Sequence, residues 1–143
     1  MCLKIMVAVT QLGMPLFYIP ATAAVLLLNL ALGIKMVMAL LLIEVVGGIT
    51  KLLYPKKRPI PMLARTLAQK WDAGSFPSIH TARFTCVAMF GYSLLNNPAL
   101  LALGLLIAAT VGYSRVYLRK HYPVDVFAGV VMGAVISWII LSV

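Results

Sequence analysis

The chain has 143 residues, 63% hydrophobic and only 10% charged, and its 12 Lys and Arg against 3 Asp and Glu give a formal charge of +9. A soluble globule, with an apolar share of about 45–50%, is excluded, and a polytopic membrane protein is implied. Among apolar spans the basic excess points to lipid headgroups or phosphates and not to nucleic acid, while three acids (Glu44, Asp72 and Asp125) are too few for a carboxylate-built metal site.

About 20 apolar residues cross a bilayer core as a helix. The first stretch, Ile5 to Leu32, exceeds that and holds Pro15 and Pro20. Prolines so close disrupt helix hydrogen bonding, which favours a short interfacial helix before Pro15 and then a span to Leu32. Lys4 precedes this stretch with no clear small-residue cleavage site after it, so the segment reads as a retained membrane element. Gly33 to Lys35 reads as a turn, and a second span follows from Met36 to Leu53. The main loop runs from Tyr54 to Phe76. Leu63, Leu67 and Trp71 recur there at helical spacing, predicting a short amphipathic helix over Met62 to Trp71.

A third span starts at Pro77-Ser78 and ends near Leu95, and Asn96-Asn97-Pro98 makes a tight turn. The fourth runs from Ala99 to Tyr117, Arg119 to Pro123 connects, and the fifth runs from Val124 to Ser142. The predicted fold is an all-α membrane helix bundle of about five or six transmembrane helices. Residues 1–143 form one domain, with 1–35 as an N-terminal helical element and 36–143 as the helix core. Cys2 and Cys86 lack metal-ligand spacing, and Cys86 reads as buried packing.

Three polar signatures interrupt this apolar chain. They are Lys51 followed after six residues by Arg58-Pro59; Pro77-Ser78-Ile79-His80; and Ser114-Arg115, five residues, His121, three residues, Asp125. Charged groups near lipid are costly and mark function. Following the spans in order, the second exits at Lys51, the third re-enters at His80, the fourth exits at Ser114-Arg115 and the fifth re-enters at Asp125. Hydropathy alone therefore brings all three signatures to one membrane face.

There, Lys51, Arg58 and Arg115 can surround a tetrahedral anion, and the arginine fork fits phosphate oxygens. Ser78 and the backbone N–H of Ile79 sit at a predicted helix N-terminus, where negative charge is favoured. Imidazole titrates near neutral pH, so one histidine can attack phosphorus while the other protonates the leaving oxygen. Asp125, four residues after His121, shares a helical face with it and can orient the ring. The three cations supply the charge stabilisation that phosphoryl transfer needs without a metal.

In order and spacing the signatures resemble those of the type 2 phosphatidate phosphatase superfamily: Lys-x6-Arg-Pro, Pro-Ser-Gly-His and Ser-Arg-x5-His-x3-Asp. The resemblance covers the core from Met36 to Ser142. It implies an integral membrane lipid phosphatase without cofactor, in which His121 forms a phosphohistidine, Asp125 orients it and His80 serves as acid and then base. Lys51, Arg58, Ser78, Ile79 and Arg115 would bind the phosphate, with Ser114 and Arg83 as secondary candidates. Ile79 replaces the usual glycine; it fits if its φ is negative, and its side chain would narrow the pocket or touch the lipid.

The implied partners are the bilayer and a lipid phosphate or diphosphate, in the order polyprenyl diphosphate, phosphatidate, phosphatidylglycerophosphate. Two rivals stand beside this reading: a vanadium-dependent haloperoxidase-like enzyme, which shares the pocket signatures, and a non-enzymatic binder or transporter of anionic lipid. The remaining cations, Lys56, Lys57, Arg65, Lys70, Arg119 and Lys120, read as solvated or headgroup charges. Arg83 either snorkels to the face or joins the pocket. Glu44, mid-span, is expected neutral, hydrogen-bonded to a neighbouring helix or paired with a cation. Gly129-x-x-x-Gly133 suits close helix packing. The short-loop cations favour a cytoplasmic site, and headgroup binding explains them equally.

Overall fold

A computed structural model describes residues 2–60, 66 and 74–143. The helix expected over Met62 to Trp71, with Arg65, Lys70 and Asp72, falls outside those residues. Among the described residues six helices follow in chain order: α1 (Cys2–Gln11), α2 (Pro15–Leu28), α3 (Leu30–Leu53), α4 (Ile79–Leu95), α5 (Pro98–Tyr117) and α6 (Pro123–Ser142). Proline occupies the first position of α2, α5 and α6, where its fixed φ fits and its missing N–H costs nothing. Among the described residues, four segments are long and apolar enough to cross a bilayer: Lys4–Leu28, Leu30–Leu53, Pro98–Tyr117 and Pro123–Ser142. The 17 residues of α4 rise about 26 Å, close to the core thickness.

The turn before the second long helix is not at Gly33–Lys35, as expected, but at Asn29. This residue is extended, its N–H closes α2 on the Val25 carbonyl at 2.8 Å, and its side chain accepts from Leu32 N at 3.0 Å. One asparagine thus ends one helix and caps the next. Gly33 serves as a crossing point, since a Cβ there would lie 2.5 Å from Leu26 Cα of α2.

α4 packs against α2, α3, α5 and α6, and α1 lies against α5. Met36, Ala39 and Ile43 of α3 meet Ala82, Cys86 and Phe90 of α4 in the core. Leu106, Phe127 and Trp138 face outward, as lipid-facing residues do. Small residues bring the helices around α4 into close contact at several points. A Cβ on Gly129 or Gly133 of α6 would lie 2.4 Å from the carbonyl oxygens of Ser78 and Ala82, and one on Gly104 of α5 2.6 Å from Ala88 Cβ. A Cβ on Gly112 of α5 would lie 2.4 Å from Val126 of α6. The α2–α3 seam is looser and holds an apolar cleft of about 320 Å³, bounded by Tyr18, Leu26, Leu41 and Glu44.

The mid-span acid is paired. Arg83 Nε donates to Glu44 Oε1 at 2.5 Å, joining α4 to α3. Each charge offsets the other's desolvation at a depth where a lone acid is expensive.

Candidate active site

The site is built where α3 and α5 end and α4 and α6 begin. Lys51 occupies the last turn of α3 and is buried, as are Arg58 in the following loop and Arg115 in the last turn of α5. Backbone bonds stitch these pieces together. Ser75 N donates to Lys56 O at 2.9 Å, Ile60 N to Arg119 O at 3.2 Å, and Ser78 N to Asp125 O at 2.9 Å. The carbonyl of Arg115 accepts from both Lys120 N and His121 N, at 3.0 and 3.2 Å. The α5–α6 connection thereby folds back under Arg115 and carries His121 with it.

His121 is 2% exposed, and its environment fixes its tautomer. Nδ1 lies 2.6 Å from the carbonyl oxygen of Ser75. A carbonyl only accepts, so Nδ1 carries the proton and Nε2 of the neutral ring carries the lone pair. Nε2 faces Arg115 Nη2 at 3.4 Å. Burial, then the positive charges of Arg115 and Arg58, hold this imidazole far below its usual 6.5, to about 2, against the opposing effect of the Ser75 carbonyl. The ring is therefore neutral and oriented, with the lone pair of Nε2 beside a guanidinium. His80 lies in the first turn of α4, near the cations Arg115, Arg83 and Lys51 and the His121 ring. The three signatures do converge.

Should His121 act in turnover, its protonation is not expected to limit the rate between about pH 5 and 8. Removing a positive neighbour lets its pKa climb. Arg58→Gln is expected to move the acid limb of kcat/KM to higher pH than in the wild type on the same substrate. Substrate phosphate titrates equally in both, so a limb that stays put or moves down contradicts the assignment.

Asp125 is fully buried and four residues from His121, as expected, but the direct bond to the ring is not made. Its Oδ2 lies 3.9 Å from His121 Nδ1 and accepts instead from Tyr122 N at 2.8 Å. Its Oδ1 accepts from Lys56 Nζ at 2.6 Å. Lys56 is thus no solvated headgroup charge: it pairs with Asp125 and lies 4.6 Å from the Tyr122 ring centroid. A buried carboxylate needs a cation, and Lys56 of the Lys56-Lys57-Arg58 run supplies one. The orienting group for His121 is the Ser75 backbone, which no side-chain motif announces.

Ile79 is the first residue of α4, buried, and absent from the positive-φ positions, so the backbone tolerates a side chain there. That side chain packs into the bundle, where a Cβ added to Gly47 of α3 would meet Ile79 Cγ1 at 2.8 Å. Ser78 is fully buried, with its hydroxyl 3.0 Å from that of Thr81. Ser114 donates to Val111 O at 2.6 Å, a bond internal to α5. Arg83 does not snorkel to the face but turns to Glu44 and, at 3.3 Å, to the Gly13 carbonyl. The α1–α2 turn also reaches the site, through Thr10 at Arg115 and Met14 at His80. Among the described residues no three His, Cys, Asp or Glu side chains gather as a metal site requires.

A family model described as the PAP2 superfamily matches residues 32–143. An undecaprenyl-diphosphatase of Sulfolobus acidocaldarius is 31% identical over 144 residues, spanning 97% of this chain and 69% of that protein. Two crystal structures share the fold. A PAP2-type phosphatidylglycerolphosphate phosphatase from Bacillus subtilis superposes with a TM-score of 0.79 at 22% identity, over 99% of this chain and 75% of that one. LpxE of Aquifex aeolicus gives 0.79 at 23% identity, over 99% and 86%.

Proposed function

The chain belongs to the PAP2 superfamily, a family of integral membrane lipid phosphatases, and from that membership we propose the roles of its residues and its substrate. His121 Nε2 attacks phosphorus, the bond to the leaving oxygen breaks, and His80, protonated as the anionic substrate binds and offsets the neighbouring cations, gives that oxygen a proton. Lys51, Arg58, Arg115 and the start of α4 hold the phosphate oxygens, where positioning and charge supply most of the catalysis. His80 then takes a proton from water, which attacks the phosphohistidine. The N–P bond breaks and inorganic phosphate leaves. Asp125 stabilises the imidazolium from 3.9 Å, while the Ser75 carbonyl fixes the ring. The observation that carries this reading is the Nδ1–Ser75 bond, which leaves the lone pair of Nε2 toward Arg115.

The substrate is a lipid diphosphate of the polyprenyl class, with phosphatidate and phosphatidylglycerophosphate after it. The site lies at the headgroup plane of a bundle with apolar walls, and the archaeal relative matched over 97% of the chain is an undecaprenyl-diphosphatase. We place the protein in the cell membrane; cysteine labelling at the Asn96–Asn97 turn reports which side the site faces. The central experiment is phosphate release from a panel of detergent-solubilised lipids, with and without vanadate as a phosphate mimic. A polyprenyl diphosphate is expected to be cleaved fastest, with inhibition by vanadate. Equal cleavage of a soluble sugar phosphate would remove the lipid assignment.

A further inference from the structure

Resting on the reading of His80 and Arg115 given above, we propose that the turn between α1 and α2 is a self-ligand of the active site. Thr10 and Met14 hold the two positions that substrate oxygens take, and so they determine how readily a phosphate is taken up.

Two contacts from this turn fall on two proposed functional groups. Arg115 Nη1 donates to Thr10 Oγ1 at 3.0 Å, while Nη2 of the same guanidinium faces His121. An oxygen ligand thus already sits on the arginine fork where a phosphate oxygen would bind. His80 Nε2 lies 3.3 Å from Met14 Sδ. A thioether sulfur thus occupies the place beside the imidazole that a leaving oxygen needs. The turn sits close. Gly13 is buried, and a Cβ there would lie 2.8 Å from His80 Cβ and Cδ2. A further contact holds it down: Arg83 Nη1 donates to Gly13 O while its Nε is held by Glu44 and its guanidinium lies 5.1 Å from the Tyr18 ring centroid.

Both self-contacts are weaker than those a substrate offers. A hydroxyl is a neutral acceptor for arginine, whereas a phosphate oxygen forms a charge-assisted bond. A thioether is a poor acceptor for imidazole N–H. A phosphate therefore displaces both, whereas a neutral headgroup displaces them less readily. The cost appears in affinity, because the apparent constant is the intrinsic one divided by the open fraction. Weakening the self-ligand should then improve substrate capture. A supporting role for the same residues predicts the opposite.

The test uses the full chain in detergent, with Thr10→Val, Met14→Ala and the double variant. KM for the lipid substrate and the inhibition constant for orthophosphate are expected to fall together, by roughly tenfold in the double variant. Turnover should stay within about twofold. A KM that is unchanged or higher, with an orthophosphate constant to match, overturns the proposal. Met14 is exposed, so Met14→Ala carries the test if Thr10→Val fails to fold. If the wild type releases phosphate from no lipid, the catalytic reading fails separately. Calorimetric titration with orthophosphate then still decides, since tighter binding by the variants sustains the self-ligand and equal binding removes it.

Discussion

His121→Ala is expected to abolish phosphate release from every lipid the wild type cleaves, with turnover falling by about 10⁵- to 10⁶-fold. The reasoning starts from one atom. Nδ1 is committed to the Ser75 carbonyl at 2.6 Å, so Nε2 is the nitrogen left to bond phosphorus. Arg115 stands 3.4 Å from it, placed to stabilise charge on the transferring group. Alanine deletes the nucleophile and leaves the cations. Phosphate binding should therefore survive, and vanadate should still bind the variant while turnover is gone. The fold loses one hydrogen bond and leaves the Ser75 carbonyl unpaired, a cost of about 1–3 kcal/mol, which thermal unfolding in detergent measures. Unchanged turnover in correctly inserted protein would remove His121 as nucleophile.

The second large effect concerns Lys56 and Asp125. Lys56→Met is expected to destabilise the protein by about 2–4 kcal/mol, because it deprives a carboxylate with no exposed surface of its ion-pair partner. The figure is set below that for a wholly buried pair because the Lys56 side chain is 24% exposed. Asp125→Asn, the other single variant, leaves the ammonium without its anion but keeps an acceptor for Tyr122 N. The double variant Lys56→Met/Asp125→Asn contains neither lone charge, so it should recover most of the lost stability. It should not recover activity. Without the carboxylate the positive charge on His121 during transfer loses its anionic neighbour, and turnover is expected to stay down by about hundredfold. Unfolding temperatures and turnover for the two singles and the double decide it. A double variant no more stable than the singles would mean that the pair is not what holds the loop to α6.

These expectations show where the sequence was readable. The three signatures were legible because their side-chain types are rare in an apolar chain and their spacing follows from helix geometry. The spans between them assigned every signature to one face by parity alone. The turn at Asn29 was hidden inside a long apolar run, where Gly33 and Lys35 looked like better punctuation; only the crossing with Leu26 shows why that glycine is needed. Lys56 was hidden by its neighbours, since three adjacent cations carry no mark of which one meets an acid 69 positions away. Ser75 acts through its backbone, which leaves no trace in residue identity. Thr10 bonds a residue 105 positions distant, and no local pattern encodes that contact.

The close contacts around α4 bear on how a lipid reaches the catalytic groups. Where a missing Cβ lets one helix rest on its neighbour's carbonyl oxygens, parting the two means exposing backbone to hydrocarbon, which a bilayer resists. Contacts of that kind hold α4 against α6, and small residues also hold α4 against α5 and α5 against α6. A molecule sliding within the leaflet meets these contacts on one flank of the bundle, and beside them apolar openings of about 260 Å³ between α4 and α5 and about 500 Å³ between α3 and α6. On the other it meets the apolar opening between α2 and α3, whose upper lip is Tyr18 and Glu44, both touching Arg83. A lipid arriving sideways is therefore expected to use one of these apolar openings and not to part the helices at their glycine contacts.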